Sequence, residues 1–206
     1  MRGEVYVLSS PAGGGKTTLS NLLLKEIPNL KKIVTCTTRK PRPGEKNGID
    51  YIFLTKEQFE EKIKKGEFLE YAVVHGNYYG TPKDQVFSQI DNGNDVLLVI
   101  DVQGMRQIKS NMDNVITIFM IPPSIDELVN RMRRRGDSDQ EIQRRLQTAM
   151  KEFPAWKEYD YIVINDILLE AKEAVKHIIL SNRYKTSRFD LNKILDSRLR
   201  ELMKDG

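Results

Sequence analysis

Short apolar runs alternate with longer amphipathic stretches along this chain. Continuous apolar runs predict strands buried on both faces, whereas apolar residues spaced by three and four predict helices that pack on one side. The runs that predict core strands lie at 5–8, 33–34, 96–101, 115–121 and 161–164. Strands that alternate with helices are typical of a parallel sheet covered on both faces. We therefore expect an α/β fold with a three-layer α/β/α core and about five parallel strands.

Several helix boundaries are marked by residues with known local preferences. The first helix is predicted from about residue 17 to 27, because Pro28 cannot continue it. Thr55 with Gln58, and Ser124 with Glu127, have the spacing of capping boxes at helix starts. The pair Thr81-Pro82 predicts another start, with Thr81 as the N-cap. A C-terminal helix is predicted from apolar residues at helical spacing, namely Leu191, Ile194, Leu195, Leu199 and Leu202.

Two segments interrupt the core pattern. Residues 35–50 are polar and rich in turns, which predicts an exposed functional loop. Strands at 51–54 and 68–74, a helix between them and a turn at 75–80 extend this loop into a small β-rich insertion over 35–81. Residues 125–153 predict an arginine-rich pair of helices that is broken at Gly136. We expect one domain over 1–206, with its core at 1–34, 82–124 and 154–206.

The glycine-rich stretch from Ser10 to Thr18 lies between the first strand and the first helix. Glycines there let backbone N–H groups converge on phosphate oxygens, and the helix N-terminus favours an anion. Lys16 supplies a positive charge, and Thr17 supplies a hydroxyl for Mg²⁺. Ser10 replaces the first glycine of the phosphate-loop (P-loop) motif, which is a mild departure because serine is also small. The stretch predicts binding of a nucleoside triphosphate; a flexible glycine linker is the alternative.

Composition narrows the class of protein. The 206 residues suit one domain with a substantial core. A net charge of +4 is compatible with nucleic-acid binding, but several arginines lie where phosphates are expected, so we expect no nucleic-acid partner. The single cysteine, Cys36, cannot form an internal disulfide and is expected to be buried. Because no apolar run approaches membrane-spanning length and no secretory signal is found, we expect a cytoplasmic protein without a membrane partner.

Two further groups of residues are compatible with phosphate binding. Arginine offers a planar fork for a phosphate and tyrosine a hydroxyl donor, and the first group combines both: Arg39, Arg42, Tyr51 and Tyr79. The second group could close over a triphosphate and consists of the arginines of the helix pair: Arg131, Arg133, Arg134, Arg135, Arg144 and Arg145. The alternatives are solvated loop arginines with packed tyrosines for the first group, and a solvated helix face or a nucleic-acid patch for the second.

The sequence also contains candidate residues for the recognition of a base. Guanine presents two neighbouring N–H donors beside an acceptor, so one carboxylate and one hydroxyl can recognise it. Glu70 with Thr81, and Thr35 nearby, could supply these groups. Asp101 ends the third core strand, at the sheet edge where ligands of parallel sheets bind. A glutamate on a strand is more often surface charge, so this assignment depends on further support.

That support comes from the order and spacing of several segments. They are the glycine-rich stretch, residues 35–51 (TCTTRKPRPGEKNGIDY), 68–71 (FLEY), 76–81 (GNYYGT), 100–104 (IDVQG), 131–136 and 159–166. With these segments the chain resembles the guanylate kinase family over nearly its whole length. The resemblance implies a P-loop core, a GMP-binding insertion over 35–81, a lid over 125–153, and the reaction of ATP with GMP to give ADP and GDP. It implies Mg²⁺ as the cofactor and ATP and GMP as the substrates, and leaves the choice between monomer and homo-oligomer open.

The resemblance also implies roles for individual residues. GMP would contact Thr35, Arg39, Arg42, Tyr51, Glu70, Tyr79, Thr81 and Asp101. ATP would contact Ser10, Pro11, Ala12, Gly13, Gly14, Gly15, Lys16, Thr17, Thr18 and Asn165, with Thr17 also serving the metal. Phosphoryl transfer would depend on Lys16, Arg39, Arg135 and Arg145.

Two departures and three alternatives accompany this assignment. Thr35 and Thr81 stand where serine is common in the family, which keeps the hydroxyl. The chain looks one residue short between Gly136 and Arg145, which bears on the role of Arg145. The alternatives are a kinase for another phosphorylated acceptor such as a ribose bisphosphate, a scaffold module that binds phosphorylated peptides without turnover, and a nucleic-acid-binding protein.

Overall fold

The computed structural model describes residues 2–11, 13–74, 76–190 and 196–202. Within these ranges the strands are β1 (Val5–Ser9), β2 (Leu30–Lys32), β3 (Cys36–Thr37), β4 (Ile52–Phe53), β5 (Phe68–Val74), β6 (Asn77–Pro82), β7 (Asp95–Val99), β8 (Val115–Ile121) and β9 (Tyr161–Ile164). The α-helices are α1 (Lys16–Glu26), α2 (Lys56–Lys64), α3 (Lys83–Asp91), α4 (Val102–Asn111), α5 (Ile125–Arg134), α6 (Asp139–Glu152), α7 (Leu168–Asn182) and α8 (Ser197–Leu202). Short 3₁₀ helices span Phe153–Glu158 and Thr186–Arg188.

The core is a five-stranded parallel sheet in the order β2-β7-β1-β8-β9. Its central strand is β1, in which Val5 aligns with Val96 of β7 on one side and with Val115 of β8 on the other. Every residue of β1 is buried, as expected for a parallel strand covered on both faces. The predicted α/β fold with about five parallel strands is therefore confirmed.

Alternate residues of β1 pack into two separate hydrophobic clusters. Tyr6 and Leu8 face the side covered by α1 and α7. Val5 and Val7 face the opposite side, covered by α3 and α4. Because side chains alternate along a strand, one central strand serves both cores and gives the three-layer arrangement.

A second sheet forms within the predicted insertion, in the order β4-β3-β6-β5. Strands β5 and β6 form an antiparallel pair, and α2 covers the sheet. The ring of Phe59 on α2 lies 4.4 Å from the ring of Phe68 and 5.0 Å from that of Tyr78, both stacked. Helix α2 begins with the predicted capping box of Thr55 and Gln58.

Two strand predictions need correction. The strand expected at 33–34 lies at Leu30–Lys32, because its pairing with β7 begins at Leu30 and Asp95. At Val34 the backbone N–H donates to the Gln85 side chain, so the chain has left the sheet. The segment 35–50 was expected to be an exposed loop, but Cys36 and Thr37 are buried in strand β3 between β4 and β6.

Two helix starts also differ from expectation. Thr81 does not cap α3, because it belongs to strand β6 and its hydroxyl donates to Glu70. The N-cap position is taken by Pro82, and the segment 77–80 is strand and not turn. At α5, Ser124 accepts from the N–H of Glu127 as predicted, but the Glu127 carboxylate pairs with Arg131 and does not complete the capping box.

The segment after α7 contacts the start of strand β7 through two arginines, Arg183 and Arg188. Asp95, at the start of β7, is buried and accepts from Arg183 and Arg188 at 2.8 Å each and from the N–H of Glu4 at 3.0 Å. The predicted C-terminal helix is seen at Ser197–Leu202, while Leu191, Ile194 and Leu195 lie outside the described residues. In the part of the chain that the structure describes, no helix has the length and apolar character to cross a membrane.

Removal of the Asp95 carboxylate should destabilise the fold strongly. In Asp95→Ala, Arg183 loses its carboxylate partner and Arg188 keeps only the longer contact with Glu4 at 3.8 Å. The side chain of Arg188 is only 6% exposed. Loss of one partner of a buried ion pair leaves an uncompensated charge, so we expect a decrease of about 3–5 kcal/mol in the free energy of unfolding. Urea denaturation followed by circular dichroism measures this change.

The matched control is Asp91→Ala. Asp91 pairs with Arg2 at 2.9 Å, but both side chains are more than 60% exposed. Exposed pairs contribute little, so this variant should lose less than about 1 kcal/mol. Equal losses in the two variants would contradict a stabilising role for the buried cluster.

Candidate active site

The phosphate loop (residues 10–15) connects β1 to α1. Gly13 and Gly15 have φ values of +88° and +95°, a region that side chains with a Cβ rarely adopt. Between them the N–H of Gly14 donates to the carbonyl of Pro11 at 3.0 Å. The loop therefore turns sharply before α1 begins at Lys16. Ala12, which was predicted to contact ATP, lies outside the described residues.

Neighbouring side chains leave no room for a Cβ in this loop. A Cβ on Gly14 would lie 2.4 Å from the Ser10 hydroxyl, and one on Gly15 would lie 2.7 Å from Nδ2 of Asn165. The Ser10 hydroxyl donates to the carbonyl of Pro11, and Nδ2 of Asn165 donates to that of Gly14 at 2.8 Å. Ser10, which replaces the first glycine of the motif, thus packs against Gly14 and hydrogen-bonds the loop backbone at Pro11.

Lys16 carries its charge in a desolvated position. Its ammonium group donates to the carbonyl of Ser10. Burial lowers the pKa of Lys16, while the carboxylates of Glu152 and Asp101 oppose that shift. Burial in turn raises the pKa of Glu152, whose Oε2 is buried without a hydrogen bond. Glu152 ends helix α6 and was not selected from the sequence, because no motif links it to Lys16.

A cavity of about 440 Å³ opens over the phosphate loop. Its walls combine the loop with Thr17, Thr18 and two arginines, Arg135 at the end of α5 and Arg145 on α6. The structure therefore brings two of the predicted lid arginines, Arg135 and Arg145, to the predicted triphosphate site. Arg145 lies there although the sequence looks one residue short between Gly136 and Arg145. Arg133, Arg134 and Arg144 are exposed.

Arg131 has a different position from the other lid arginines. Its guanidinium donates to the backbone carbonyls of Asn165 at 2.9 Å and Asp166 at 3.3 Å, and to the Glu127 carboxylate at 2.8 Å. It thereby ties α5 to the end of β9, beside the Asn165 that supports the phosphate loop. The sequence contained one signal for this link, the four-residue spacing of Glu127 and Arg131 on one helix.

Three of the four residues in the first predicted phosphate-binding group lie close together in the structure: Arg39, Tyr51 and Tyr79. Nη2 of Arg39 donates to both carboxylate oxygens of Glu45, at 2.8 and 2.9 Å. The Arg39 guanidinium lies 5.3 Å from the ring centre of Tyr51, and the Tyr51 ring lies 6.0 Å from that of Tyr79. Arg42 has an exposed side chain, but its N–H donates to Glu45 at 2.7 Å.

Glu45 was not identified from the sequence, because the loop has no periodicity that would pair it with Arg39. Its hydrogen bonds from Arg39 and from the Arg42 backbone lower the pKa of Glu45. The same pairing raises the pKa of Arg39. In the structure the Arg39 guanidinium therefore already binds a carboxylate, and this carboxylate belongs to Glu45 of the protein itself.

The predicted base-recognition pair is buried and hydrogen-bonded. The Thr81 hydroxyl donates to Oε1 of Glu70 at 2.6 Å, and the residues are 2% and 6% exposed. Burial raises the pKa of Glu70, the bond from Thr81 opposes the rise, and the charge of Asp101 adds to it. Thr35 is half-buried, and among the described residues no hydrogen bond joins its hydroxyl to this pair.

Asp101 lies between the two halves of the site. Its carboxylate caps α4 by accepting from the N–H of Gly104 at 2.8 Å, and its charge influences both Glu70 and Lys16. The described residues contain no group of three or more histidine, cysteine or acidic side chains placed to hold a metal ion. The arrangement suits two phosphorylated ligands, one with its phosphates at the phosphate loop and one with its phosphate near Arg39.

The chain is similar to known guanylate kinases in sequence. A family model described as guanylate kinase matches residues 2–182. The guanylate kinase of Clostridioides difficile is 44% identical over 189 residues, covering 91% of this chain and 92% of that protein. The guanylate kinase of Oceanobacillus iheyensis is 44% identical over 201 residues, covering 96% and 98%.

The fold is similar as well. The crystal structure of guanylate kinase from Anaplasma phagocytophilum matches with a TM-score of 0.76 and 36% sequence identity. The match covers 96% of each chain. The similarity in sequence and in structure thus extends over both sheets and the helix pair.

The buried Glu70 carboxyl should make stability depend on pH. Because its folded pKa is raised, protonated Glu70 stabilises the fold fully below the ordinary value of 4.5, and this contribution is lost as the pH rises through the folded value. Glu70→Gln cannot ionise, so its stability relative to the parent should increase as the pH rises above the ordinary value of 4.5 and through the raised folded value. Thermal unfolding at several pH values measures the difference.

Glu170→Gln, an exposed substitution on α7, serves as the control and should show no such trend. A Glu70→Gln difference that stays constant with pH would contradict the raised pKa.

Proposed function

The chain belongs to the guanylate kinase family. We propose that it uses the candidate active site described above to transfer the γ-phosphoryl group of ATP to GMP, giving ADP and GDP. It is a nucleoside monophosphate kinase, an ATP:GMP phosphotransferase. The observation that carries the choice of acceptor is the buried Glu70–Thr81 pair, which lies in the same insertion as the Arg39 group.

The Glu70–Thr81 pair suits guanine for a reason of hydrogen bonding. A carboxylate accepts from both N–H groups of guanine. The Thr81 hydroxyl donates its one proton to Glu70 in the structure, and it would donate that proton to the guanine oxygen once GMP is bound. Adenine presents an acceptor where guanine presents a donor, so a buried Glu70 would be left with an unsatisfied contact. We propose that Asp101, whose charge acts on Glu70, and Thr35 assist the recognition of GMP.

The phosphate of GMP is proposed to bind Arg39, Arg42, Tyr51 and Tyr79. In the structure Glu45 already occupies the Arg39 guanidinium with two oxygens, 2.8 and 2.9 Å away. A phosphate carries the same kind of paired acceptors, so it can take a similar place on the arginine fork. The side chain of Arg42 is exposed, so it would also reach a phosphate bound at Arg39.

The triphosphate of ATP is proposed to bind the phosphate loop, Lys16, Thr17 and Thr18. The loop supplies backbone N–H groups at the start of α1, where the helix dipole favours an anion. Lys16 would exchange its present contact with the Ser10 carbonyl for phosphate oxygens. Asn165, which supports the loop through Gly14, would lie beside the adenine.

Mg²⁺ is the proposed cofactor, arriving with ATP. The donor set fits such an ion, because Thr17 offers an exposed hydroxyl in the first turn of α1, and Mg²⁺ bound by few protein groups retains several waters. The ion would neutralise charge on the β- and γ-phosphates when bound.

Transfer itself requires positioning more than proton chemistry. The attacking atom is an oxygen of the GMP phosphate, whose second pKa is about 6, so no general base is needed near neutral pH. It forms a bond to the γ-phosphorus as the bond to the β–γ bridging oxygen breaks, and the electron pair leaves with ADP. Lys16, Arg39, Arg135 and Arg145 are proposed to hold the phosphates in line and to stabilise the charge that develops.

We propose three working parts in this reaction. The core (1–34, 82–124 and 154–206) holds ATP, the insertion (35–81) holds GMP, and the lid (125–153) closes over the phosphates and excludes water. We also propose a cytoplasmic location, where ATP is available.

The acceptor specificity is tested by a coupled assay of ADP formation with Mg-ATP and each acceptor in turn. GMP should give turnover, whereas AMP, CMP, UMP and a ribose bisphosphate should be poor acceptors. Because the carboxylate reads the base, Glu70→Ala should raise KM for GMP by about tenfold or more and leave KM for ATP nearly unchanged.

Thr55→Ala supplies a folded control within the same insertion, since Thr55 caps α2 away from Glu70. Turnover of another acceptor in preference to GMP, or a Glu70→Ala effect confined to ATP, would contradict the proposed acceptor site. ATP binding without turnover of any acceptor would instead favour a binding module.

Lys16 should be essential for the chemical step. Lys16→Met removes the charge but keeps most of the apolar length of the side chain, so the desolvated position remains filled. We expect kcat to fall by about a hundredfold or more, as when a group that stabilises transition-state charge is removed. Thermal unfolding should show an intact fold. A folded variant with nearly normal kcat would contradict the proposed role of the phosphate loop.

A further inference from the structure

We propose that Asp137, in the turn between α5 and α6, is a positioning residue that orients the Arg145 guanidinium toward the transferring phosphoryl group. The proposal rests on the proposed function, because it assigns Arg145 to that group. Four features of the turn carry it: a fixed backbone, a buried carboxylate, its ion pair with Arg145, and a helix start that is already capped.

The backbone on either side of Asp137 is fixed. Helix α5 ends with the N–H of Gly136 donating to the carbonyl of Arg133 at 2.9 Å and that of Asp137 to Met132 at 3.2 Å. With Gly136 at φ +89°, these bonds form a Schellman motif. One residue later, Ser138 starts α6 with a complete capping box. Asp137 is thus held between two rigid helix ends.

The carboxylate of Asp137 is buried and faces Arg145. Its side chain is only 10% exposed, and its Oδ2 lies 3.5 Å from Nε of Arg145. At that distance the two groups form an ion pair, but Oδ2 has no hydrogen bond. A buried carboxylate oxygen without a hydrogen bond is costly, and the described residues offer Arg145 as the ion-pair partner of Oδ2.

The contact at Nε leaves the outer end of the guanidinium available. Arginine has five N–H donors in a planar fork, so a carboxylate on the Nε side can hold the plane while the terminal nitrogens bind a phosphate. Arg145 lines the cavity over the phosphate loop together with Arg135, which lies two residues before Asp137. Asp137 therefore lies in the short turn that joins the helix end at Arg135 to the helix of Arg145, and its carboxylate pairs with Arg145.

A helix-capping role does not account for this carboxylate. The start of α6 is already satisfied, because Ser138 accepts from the N–H of Glu141 and the Glu141 carboxylate binds back to Ser138. Asp139 and Glu141 also supply the acidic charge that the first turn favours. The side chain of Asp137 points instead to the face of α6 that carries Arg145.

A double-mutant cycle tests the proposal. The four proteins are the parent, Asp137→Asn, Arg145→Gln and the double variant, assayed with GMP and Mg-ATP below the lowest unfolding temperature. Asp137→Asn should lower kcat by about tenfold, because Arg145 loses its orientation in the transition state, and should change both KM values less than about twofold. In the Arg145→Gln background the same substitution should change kcat less than about twofold.

Asp139→Asn is the matched control. It removes the same charge from an exposed residue at the start of α6, two residues away, so its kcat should equal that of the parent. If Asp137→Asn does not fold, Asp137→Glu takes its place in the cycle, since it keeps the charge but displaces the carboxylate by one methylene. This variant should also lose kcat only when Arg145 is present.

Two results would overturn the proposal. One is an Asp137 substitution that leaves kcat within about twofold of the parent, and the other is an equal loss of kcat with and without Arg145. If the parent binds ATP but phosphorylates no acceptor, the proposed function fails. The cycle is then read as ATP affinity by calorimetry, where an Asp137 effect that requires Arg145 supports the pairing and one that does not overturns it.

Discussion

The carboxyl edge of the parallel sheet is the constraint on which the site depends. Four of its five strands lead there into a functional segment: β1 into the phosphate loop, β7 into Asp101, β8 into the helix pair, and β9 into Asn165. Because the central strand is buried on both faces, these strand ends are held by the hydrophobic cores and not by the loops themselves. The phosphate loop can therefore adopt a turn that only glycine favours, with Asn165 packed against it.

The cleft balances its cations with carboxylates of its own. Arg39 pairs with Glu45, Arg145 with Asp137, and Lys16 feels the charges of Glu152 and Asp101. Without such partners, positive charges gathered in one site would repel one another and lower the stability of the fold. The proposed substrates carry phosphates that can replace or join these carboxylates. On this view the same arginines and lysine stabilise the fold through carboxylates and serve transfer through phosphates.

Sequence patterns predicted the parts of the structure that depend on local order. Strands β5, β8 and β9 have the predicted bounds, because each is a continuous apolar run or ends at a marked turn. The glycine loop and the Arg39 group followed from motifs. The placement of β2 and the predicted N-cap role of Thr81 were wrong, because pairing with β7 and a hydrogen bond to Glu70 outweighed local preference. Glu45, Asp137 and Glu152 were missed, since their partners are set by tertiary contacts and not by spacing.

The central claim, direct transfer between two bound nucleotides, is tested most directly with ATP labelled in its γ-phosphoryl group. The protein is mixed with labelled Mg-ATP and GMP, and the products are separated before equilibrium is reached. The account predicts that the label appears in GDP at the rate at which ADP forms, with little free phosphate. Label released as inorganic phosphate, at a rate independent of GMP, would contradict it.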